Sequence, residues 1–207
     1  MDNKEKGMDG RTLRSILTRQ KLLDAALDLF YEAGFEKTTI TQIIKRAKTG
    51  YGTAYVHFNG KDDILIMLME NVMREFLEMA ETPFFPASKE EAKKLVLKQV
   101  TAFLKMAESN KKIMKVFSEA IGLSPSVNSK WNEIREANIH FITKDITFAQ
   151  NAGLARTDLK AELVARFWFF ANENYQWDIV HETNTASLEE IAMTLTTMYI
   201  DGLYLNK

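Results

Sequence analysis

The chain contains no cysteine and little glycine or proline, 9 and 3 residues among 207. Without cysteine it can form neither a disulfide framework nor a thiolate metal site, which fits a reducing compartment. The scarcity of glycine and proline excludes fibrous and low-complexity compositions. No apolar run approaches the roughly 20 residues that span a bilayer, and the N-terminal sequence MDNKEKGMDGR has no hydrophobic signal core. We therefore expect a cytoplasmic protein without membrane contact.

The sequence patterns of common enzyme and metal sites are also missing. There is no GxxxxGK[ST] phosphate loop, no HExxH helix and no serine nucleophile elbow. The three histidines, His57, His140 and His181, are far apart in sequence, and His181 lacks a second histidine one helical turn on. Solvated surface is therefore favoured over a metal site. We predict no enzymatic activity, no catalytic residue, no metal and no cofactor.

Helical periodicity is present along almost the whole chain. The hydrophobic content of 46% is enough for a sizeable core, and apolar residues recur at spacings of three and four. This pattern predicts an all-α chain of about nine helices. We place them at 13–33, from Thr38 or Thr39, from Tyr51 to about His57, from Lys61 toward Pro83, and at 88–108, 110–122, 126–151, 158–181 and 188–205.

Basic charge is concentrated near the N-terminus, although the formal net charge is only −1. Residues 1–61 carry 11 Lys and Arg against 7 Asp and Glu, and the remaining residues carry 16 against 21. A local basic excess favours contact with phosphate groups. Chance clustering is the alternative, so the charge only supports a motif found on other grounds.

That motif is the segment TTITQIIKRAKTGYGTAYVHF, which begins at Thr38 and ends at Phe58. Either threonine at its start can cap a first short helix, whose buried face is formed by Ile40, Ile43, Ile44 and Ala47. A turn over Lys48 to Gly50 leads into a second short helix from Tyr51. The arrangement is typical of a helix-turn-helix, in which the start of the second helix enters the major groove of DNA.

Over about residues 19–65 the chain resembles the TetR family of transcriptional regulators. The resemblance is carried by Ala25-Ala26, Leu29-Phe30, Ala33-Gly34-Phe35, Thr38-Thr39, Ile43 to Ala47, Gly52-Thr53-Ala54-Tyr55, His57-Phe58 and Lys61. The sequence departs from the family in the turn, with Lys48 and Gly50 where glycine and serine are usual. A lysine at positive φ is strained by about 1 kcal/mol, so we expect the bend to shift toward Gly50.

The predicted DNA site follows from the motif and from this resemblance. Tyr51 and Thr53 occupy positions that face base edges, and Gly52 lets the backbone approach the groove. The resemblance implies phosphate contacts for Tyr55, His57 and Lys61. The predicted set also includes Thr39, Lys48 and Gly50, with solvated surface as the alternative for Lys48.

The resemblance also implies a division of the chain and a set of partners. Residues 1–12 are expected to form a flexible arm, 13–60 a three-helix DNA-binding head, and 61–207 an effector-binding and dimerisation domain. We expect a homodimer on a pseudo-palindromic double-stranded operator, because one head reads too few base pairs. The last two helices are expected to pair subunits. The stripe Leu188, Ile191, Leu195, Met198, Tyr199 and Leu203 suits such pairing, although an intramolecular core has the same pattern.

A small-molecule effector is the remaining partner that the resemblance implies. Polar residues interrupt apolar helix faces in the C-terminal part, which suggests a largely apolar effector held by a few hydrogen bonds. A structural core is the alternative for each of these residues. The predicted effector contacts are Gln99, Met106, Trp131, Asn138, Phe141, Asp145, Phe167, Phe170, Asn174 and Trp177.

The sequence therefore predicts a sequence-specific transcriptional regulator, a repressor released from its operator by an effector. The rival interpretation is an architectural or activating DNA-binding protein without a small-molecule effector. The ratio of operator affinity to random-DNA affinity separates a specific regulator from an architectural protein.

Overall fold

A computed structural model describes residues 10–205, and over that range it confirms the all-α prediction. Nine helices are present. They are α1 (Gly10–Lys37), α2 (Ile40–Arg46), α3 (Tyr51–His57), α4 (Lys61–Ala80), α5 (Lys89–Ser109), α6 (Lys111–Leu123), α7 (Pro125–Asn151), α8 (Ala161–His181) and α9 (Leu188–Leu203). None of these helices is long and apolar enough to cross a bilayer.

Side-chain caps explain why several helices begin where they do. Thr39 accepts a hydrogen bond from the Gln42 backbone, and the Gln42 side chain accepts one from the Thr39 backbone in return. Ser187 and Glu190 form the same reciprocal pair at the start of α9. Such capping boxes satisfy backbone N–H groups that have no partner within the helix.

The first helix differs from the prediction at both ends. It begins at Gly10, so residues 10–12 are helical rather than part of a flexible arm, while residues 1–9 lie outside the described residues. Its C-terminal end is kinked at Gly34, whose φ of 82° and ψ of 171° are not helical. Glycine tolerates this conformation because it has no Cβ.

The chain divides into two compact units. The first contains the described residues 10–69 together with 116–127, and the second contains 70–115 together with 128–205. The division falls inside α4, α6 and α7 rather than at Lys61, where we had placed it from sequence. The reason is that Ile64 and Leu65 on α4, and Phe117 on α6, are buried side chains of the first unit.

The core of the second unit is built around α5, which packs against α8 and α9. Val96, Val100 and Leu104 of α5 are buried in this core. Trp168 of α8 stacks on Tyr199 of α9 with ring centroids 4.1 Å apart. Four of the six residues of the predicted α9 stripe, Ile191, Leu195, Tyr199 and Leu203, are buried within this core, and Met198 is exposed. That pattern thus serves mainly the intramolecular core.

Candidate nucleic-acid interface and effector cavity

The turn between α2 and α3 keeps its bend on Lys48, which corrects the predicted shift toward Gly50. Lys48 has a φ of 52°, whereas Gly50 is extended, with φ −76° and ψ 147°, as the N-cap of α3. The backbone N–H of Lys48 donates to the Lys45 carbonyl, and that of Thr49 donates to the Ile44 carbonyl. This pair of bonds is a Schellman motif, which satisfies two terminal carbonyls of α2 and offsets the strain at Lys48.

One face of α3 is buried and the opposite face is open to solvent. Ala54 and Phe58 are buried in the first unit, and Thr53 and Gly52 are exposed. The side chains of Tyr51 and Tyr55 are 55% and 49% exposed. An added Cβ at Gly52 would meet no atom within 4 Å, so the backbone there is open to a close approach. The structure thus leaves Tyr51, Thr53 and Tyr55 accessible on the surface of α3.

Val56 belongs to this surface and was missed from the sequence. Its side chain is 82% exposed, the highest value among the large apolar residues that stand exposed. An apolar side chain in that position can contact the methyl group of thymine. Helical spacing contained the signal, because Ala54 and Phe58 lie one turn apart on the buried face and Val56 lies midway between them.

The remaining predicted DNA contacts lie around α3. Thr39, Lys48 and Gly50 are exposed, and His57 is half-buried. Thr39 is already engaged as the cap of α2, although its exposure leaves room for a second partner.

Lys61 has a different partner from the predicted phosphate. Its ammonium donates to the backbone carbonyls of Phe35 and Glu36 at 2.6 and 3.1 Å, and it lies 4.2 Å from the centroid of the Phe35 ring. The Glu119 carboxylate accepts hydrogen bonds from the backbone N–H groups of the same two residues, at 2.9 and 3.0 Å. Lys61 and Glu119 thus hold the backbone that follows Gly34, and we reassign Lys61 from DNA contact to this structural role.

The second unit contains an inner cavity of about 80 Å³ among the end of α4 and helices α5, α7 and α8. Aromatic side chains form much of its wall, and Phe76 and Phe103 contact each other there with centroids 5.8 Å apart. The lining residues are Met73, Phe76, Ala80, Val96, Gln99, Val100, Phe103, Trp131, Ile134, Arg135, Asn138, Ile142, Asp145, Trp168, Phe169, Asn172, Glu173 and Gln176.

A buried ion pair crosses this wall. Glu173 is only 6% exposed, and one of its carboxylate oxygens accepts hydrogen bonds from Arg135 Nε at 2.7 Å and from Trp131 Nε1 at 2.9 Å. The Arg135 guanidinium also donates to Asn132 at 3.0 Å. These bonds compensate the burial of the Glu173 charge and fix the indole of Trp131.

Asp145 is the third charged residue of the inner cavity, and it is half-buried. Burial raises the pKa of its carboxyl group to about 7, because removal from water disfavours the charged form. Asp145 and Ala80 also line an outer groove of about 330 Å³ with residues 81–85, Phe141, Lys144 and Phe148. Asp145 thus lines both spaces.

Comparison with known proteins shows that the sequence of the first unit is similar to that of a known family. Residues 22–68 match the family of bacterial regulatory proteins called the tetR family. The fatty acid metabolism regulator protein of Bacillus subtilis (strain 168) is 36% identical over 61 residues, which is 30% of this chain and 31% of the relative. The regulator HbdR of Aromatoleum sp. (strain CIB) is 44% identical over 55 residues, 27% of this chain and 24% of the relative. Residues 22–68 thus carry a TetR-family domain.

The matched segments span less than a third of the length of each of these two relatives. Solved structures extend the likeness of the fold to almost the whole chain. The structure of SmeT in complex with triclosan has a TM-score of 0.72 at 19% identity, covering 91% of this chain and 92% of that chain. The fatty acid degradation regulator FadR of Bacillus halodurans has a TM-score of 0.72 at 19% identity, covering 89% and 95%.

The predicted effector residues divide into three groups. Gln99, Trp131, Asn138 and Asp145 line the inner cavity, and Phe141 lines the outer groove together with Asp145. Met106, Phe167, Phe170, Asn174 and Trp177 line neither space. Trp177 instead packs against Trp131, with centroids 5.2 Å apart.

Three residues of α8 face away from the cavity, which corrects their assignment to its wall. Phe167 and Phe170 are 69% and 44% exposed, and Asn174 is also exposed. The cavity instead receives Phe169, Asn172 and Glu173 from this helix. Helical spacing groups residues that share a face, but it does not say which face of α8 meets α5 and α7.

The described residues include no group of three or more His, Asp or Glu side chains placed to hold a metal ion.

Proposed function

We propose that this protein is a sequence-specific transcriptional repressor that binds a pseudo-palindromic operator as a homodimer and is released by a small, largely apolar effector. The observation that carries the proposal is the open face of α3. A short helix that follows a tight turn and exposes Tyr51, Thr53, Tyr55 and Val56 has the composition and position of a recognition helix. Such binding takes place where DNA is accessible, which for a bacterial regulator is the cytoplasm.

The homodimer is supported by an exposed apolar surface of the second unit. Leu163, Phe167 and Phe170 of α8 are 65%, 69% and 44% exposed, and Met198 of α9 is 67% exposed. Exposed apolar side chains in such numbers mark an interaction surface. A second copy suits it, because an operator with two half-sites requires two heads.

The effector is supported by the inner cavity and by one structural neighbour. Concave, aromatic-lined spaces with a few polar groups are typical of small-molecule sites. The SmeT structure was obtained as a triclosan complex, which shows that a protein of this fold binds such a molecule. Release of DNA then requires that the effector bind one conformation of the dimer more tightly than the other.

The decisive test of DNA recognition is selection of random duplex DNA by the purified protein, followed by sequencing. We expect a two-fold symmetric motif for the wild type. Tyr51→Ala and Thr53→Ala are expected to relax it at particular base pairs, because each lost base contact is worth about 1–3 kcal/mol of discrimination. Thr147→Ala is the matched control, since Thr147 is exposed on α7 in the second unit. No enriched motif for the wild type would favour the architectural alternative.

The homodimer is tested by sedimentation of Phe167→Glu. A charge on the proposed interface is expected to shift the protein toward the monomer and to reduce operator affinity. Phe85→Glu is the matched control, because Phe85 is 67% exposed and does not belong to α8 or α9. A wild-type monomer, or equal effects of the two substitutions, argues against pairing through α8.

A further inference from the structure

The two asparagine side chains of the inner cavity each donate one hydrogen bond to a backbone carbonyl. Asn138 Nδ2 donates to the Ile134 carbonyl at 2.9 Å, and Asn172 Nδ2 donates to the Trp168 carbonyl at 2.8 Å. A backbone carbonyl can only accept, so these bonds fix the orientation of both amides. Each asparagine keeps its Oδ1 acceptor and one of its two Nδ2–H donors for another partner, and Gln99 and Gln176 add two further amides to the lining. The indole N–H of Trp131 is occupied by Glu173.

The charges of the inner cavity leave one carboxylate unpaired. Arg135 and Glu173 neutralise each other at 2.7 Å, so Asp145 determines the net charge of the lining. Among residues 10–205 we find no hydrogen bond or ion pair to the Asp145 side chain. A half-buried carboxyl group without a partner is unfavourable, and a ligand that supplies a donor or a positive charge removes that penalty.

The other charged and titratable groups around Asp145 do not supply this partner. The Lys144 ammonium lies 5.6 Å from the centroid of the Phe141 ring, and Glu81 in the outer groove has the same sign as Asp145. Tyr199 and Tyr204 stay neutral, because burial and the nearby Asp145 charge both raise the pKa of their phenols.

Aromatic side chains line both of the spaces that Asp145 lines. Phe103, Trp168 and Phe169 line the inner cavity, and Phe84, Phe85 and Phe148 line the outer groove. The faces of aromatic rings attract cations, and their area also buries apolar ligand surface. A carboxylate ligand, in contrast, would be repelled by Asp145.

We propose that the effector is an organic monocation whose protonated or quaternary nitrogen pairs with Asp145 and whose apolar body lies among the aromatic side chains of the inner cavity. This inference rests on the proposed function, because it names the chemical class of the effector that releases the DNA. It concerns binding to the second unit and can be measured without DNA.

The experiment compares three small probes with one shared skeleton: 2-phenylethylammonium, 2-phenylethanol and 3-phenylpropanoate. Calorimetric titration at pH 8, where Asp145 is mainly ionised, gives the affinity of each for the full-length protein. We expect the ammonium probe to bind at least about tenfold more tightly than the alcohol, and the carboxylate to bind most weakly. Asp145→Asn is expected to abolish the preference for the cation while preserving the affinity for the alcohol.

Two further variants distinguish pairing of the ligand cation with Asp145 from general effects of charge and folding. Asp145→Glu retains the charge and is expected to retain the preference for the ammonium probe. Glu189→Gln removes an exposed negative charge from the same unit and is expected to leave all three affinities unchanged. If the ammonium probe does not bind, binds no better than the alcohol, or keeps its advantage in Asp145→Asn, the inference is overturned.

A parallel measurement of operator binding distinguishes this inference from the proposed function. Charge-dependent binding at Asp145 without any release of DNA supports the cation site and contradicts effector release by this class. Release of DNA by the alcohol or the carboxylate, without a preference for the ammonium probe, overturns the cation site and supports effector release.

Discussion

The polar groups of the recognition surface on α3 are exposed to solvent, whereas most of those in the inner cavity are paired with other protein groups. On α3 the Tyr51, Thr53 and Tyr55 side chains stand exposed. In the cavity most polar groups are already paired, as in the Arg135–Glu173 ion pair and the two asparagine amides. Polar side chains on a DNA-binding surface are hydrogen-bonded to water until phosphate and base contacts replace it. In a buried cavity, polar groups need hydrogen-bond partners within the protein even when no ligand is bound.

This difference explains why Asp145 is conspicuous in the cavity. On the surface an unpaired carboxylate is ordinary, because water solvates it. In the aromatic-lined cavity, burial raises the pKa of the same group. Its ionisation at neutral pH then lowers the stability of the unit. Groups of this kind are retained at functional sites at some expense of stability.

The largest effect should come from breaking the ion pair of the cavity. Arg135→Ala leaves the Glu173 charge buried, and we expect the free energy of unfolding of the second unit to fall by about 3–5 kcal/mol. Tryptophan fluorescence in a denaturant titration reports this unit alone, because Trp131, Trp168 and Trp177 all belong to it. Arg166→Ala is the control, since its pair with Glu136 is exposed and its loss should cost far less. Equal losses would contradict the distinction between buried and exposed pairs.

A smaller effect is expected from a backbone change in the first unit. Gly34→Ala places a Cβ at a φ of 82° and within 3.0 Å of a Glu119 carboxylate oxygen, which should destabilise this unit by about 1–3 kcal/mol. Operator affinity should fall, while the tryptophan unfolding curve of the second unit should be less affected. Gly122→Ala is the control, because an added Cβ there meets no atom within 4 Å and alanine favours helix. An unaltered thermal stability for Gly34→Ala would refute the strain at this position.

The pH dependence of stability tests whether the unpaired Asp145 carboxyl group destabilises the second unit when it is ionised. Its folded pKa of about 7 lies above its ordinary value, so the folded state binds the proton more tightly than the unfolded state. The protonated Asp145 carboxyl group therefore contributes its full share of stability below about pH 4, and this contribution is lost as the pH rises through 7. At pH 8 we expect Asp145→Asn to be more stable than the wild type by about 1–2 kcal/mol, after allowing for partial screening by solvent.

Melting temperatures of both proteins from pH 5 to pH 8 measure this effect. The advantage of Asp145→Asn should shrink toward pH 5, where the wild-type carboxyl group is protonated. A constant difference across the range would exclude titration of Asp145 as its cause.

The smallest effect is expected on the recognition surface. Tyr55→Phe removes one hydroxyl group that we assign to a phosphate, so operator and random duplexes should both bind more weakly by about 1 kcal/mol. Fluorescence anisotropy with the two duplexes measures both affinities. Weakening of the operator alone would indicate base recognition by Tyr55, and no weakening would exclude its contact with phosphate.

Much of the head could be predicted from sequence, because its elements depend on local signals. Thr39 begins α2 through contacts with the next three residues, and α3 extends from Tyr51 to His57 as expected. Lys61 was assigned to DNA because the resemblance to the TetR family implies a phosphate contact at its position. Its bonds to the Phe35 and Glu36 carbonyls join residues some 25 positions apart, and no local pattern reveals them.

The sequence by itself determined the nine helices of the described region, the helix-turn-helix and the exposed recognition residues, since periodicity and capping act within a few residues. Only the tertiary structure decided which face of α8 lines the cavity and which polar groups are paired there. It also decided that the Asp145 side chain has no hydrogen-bonding or ion-pair partner within residues 10–205. These features depend on the packing of α4, α5, α7 and α8, whose contacts bring together residues far apart in the chain.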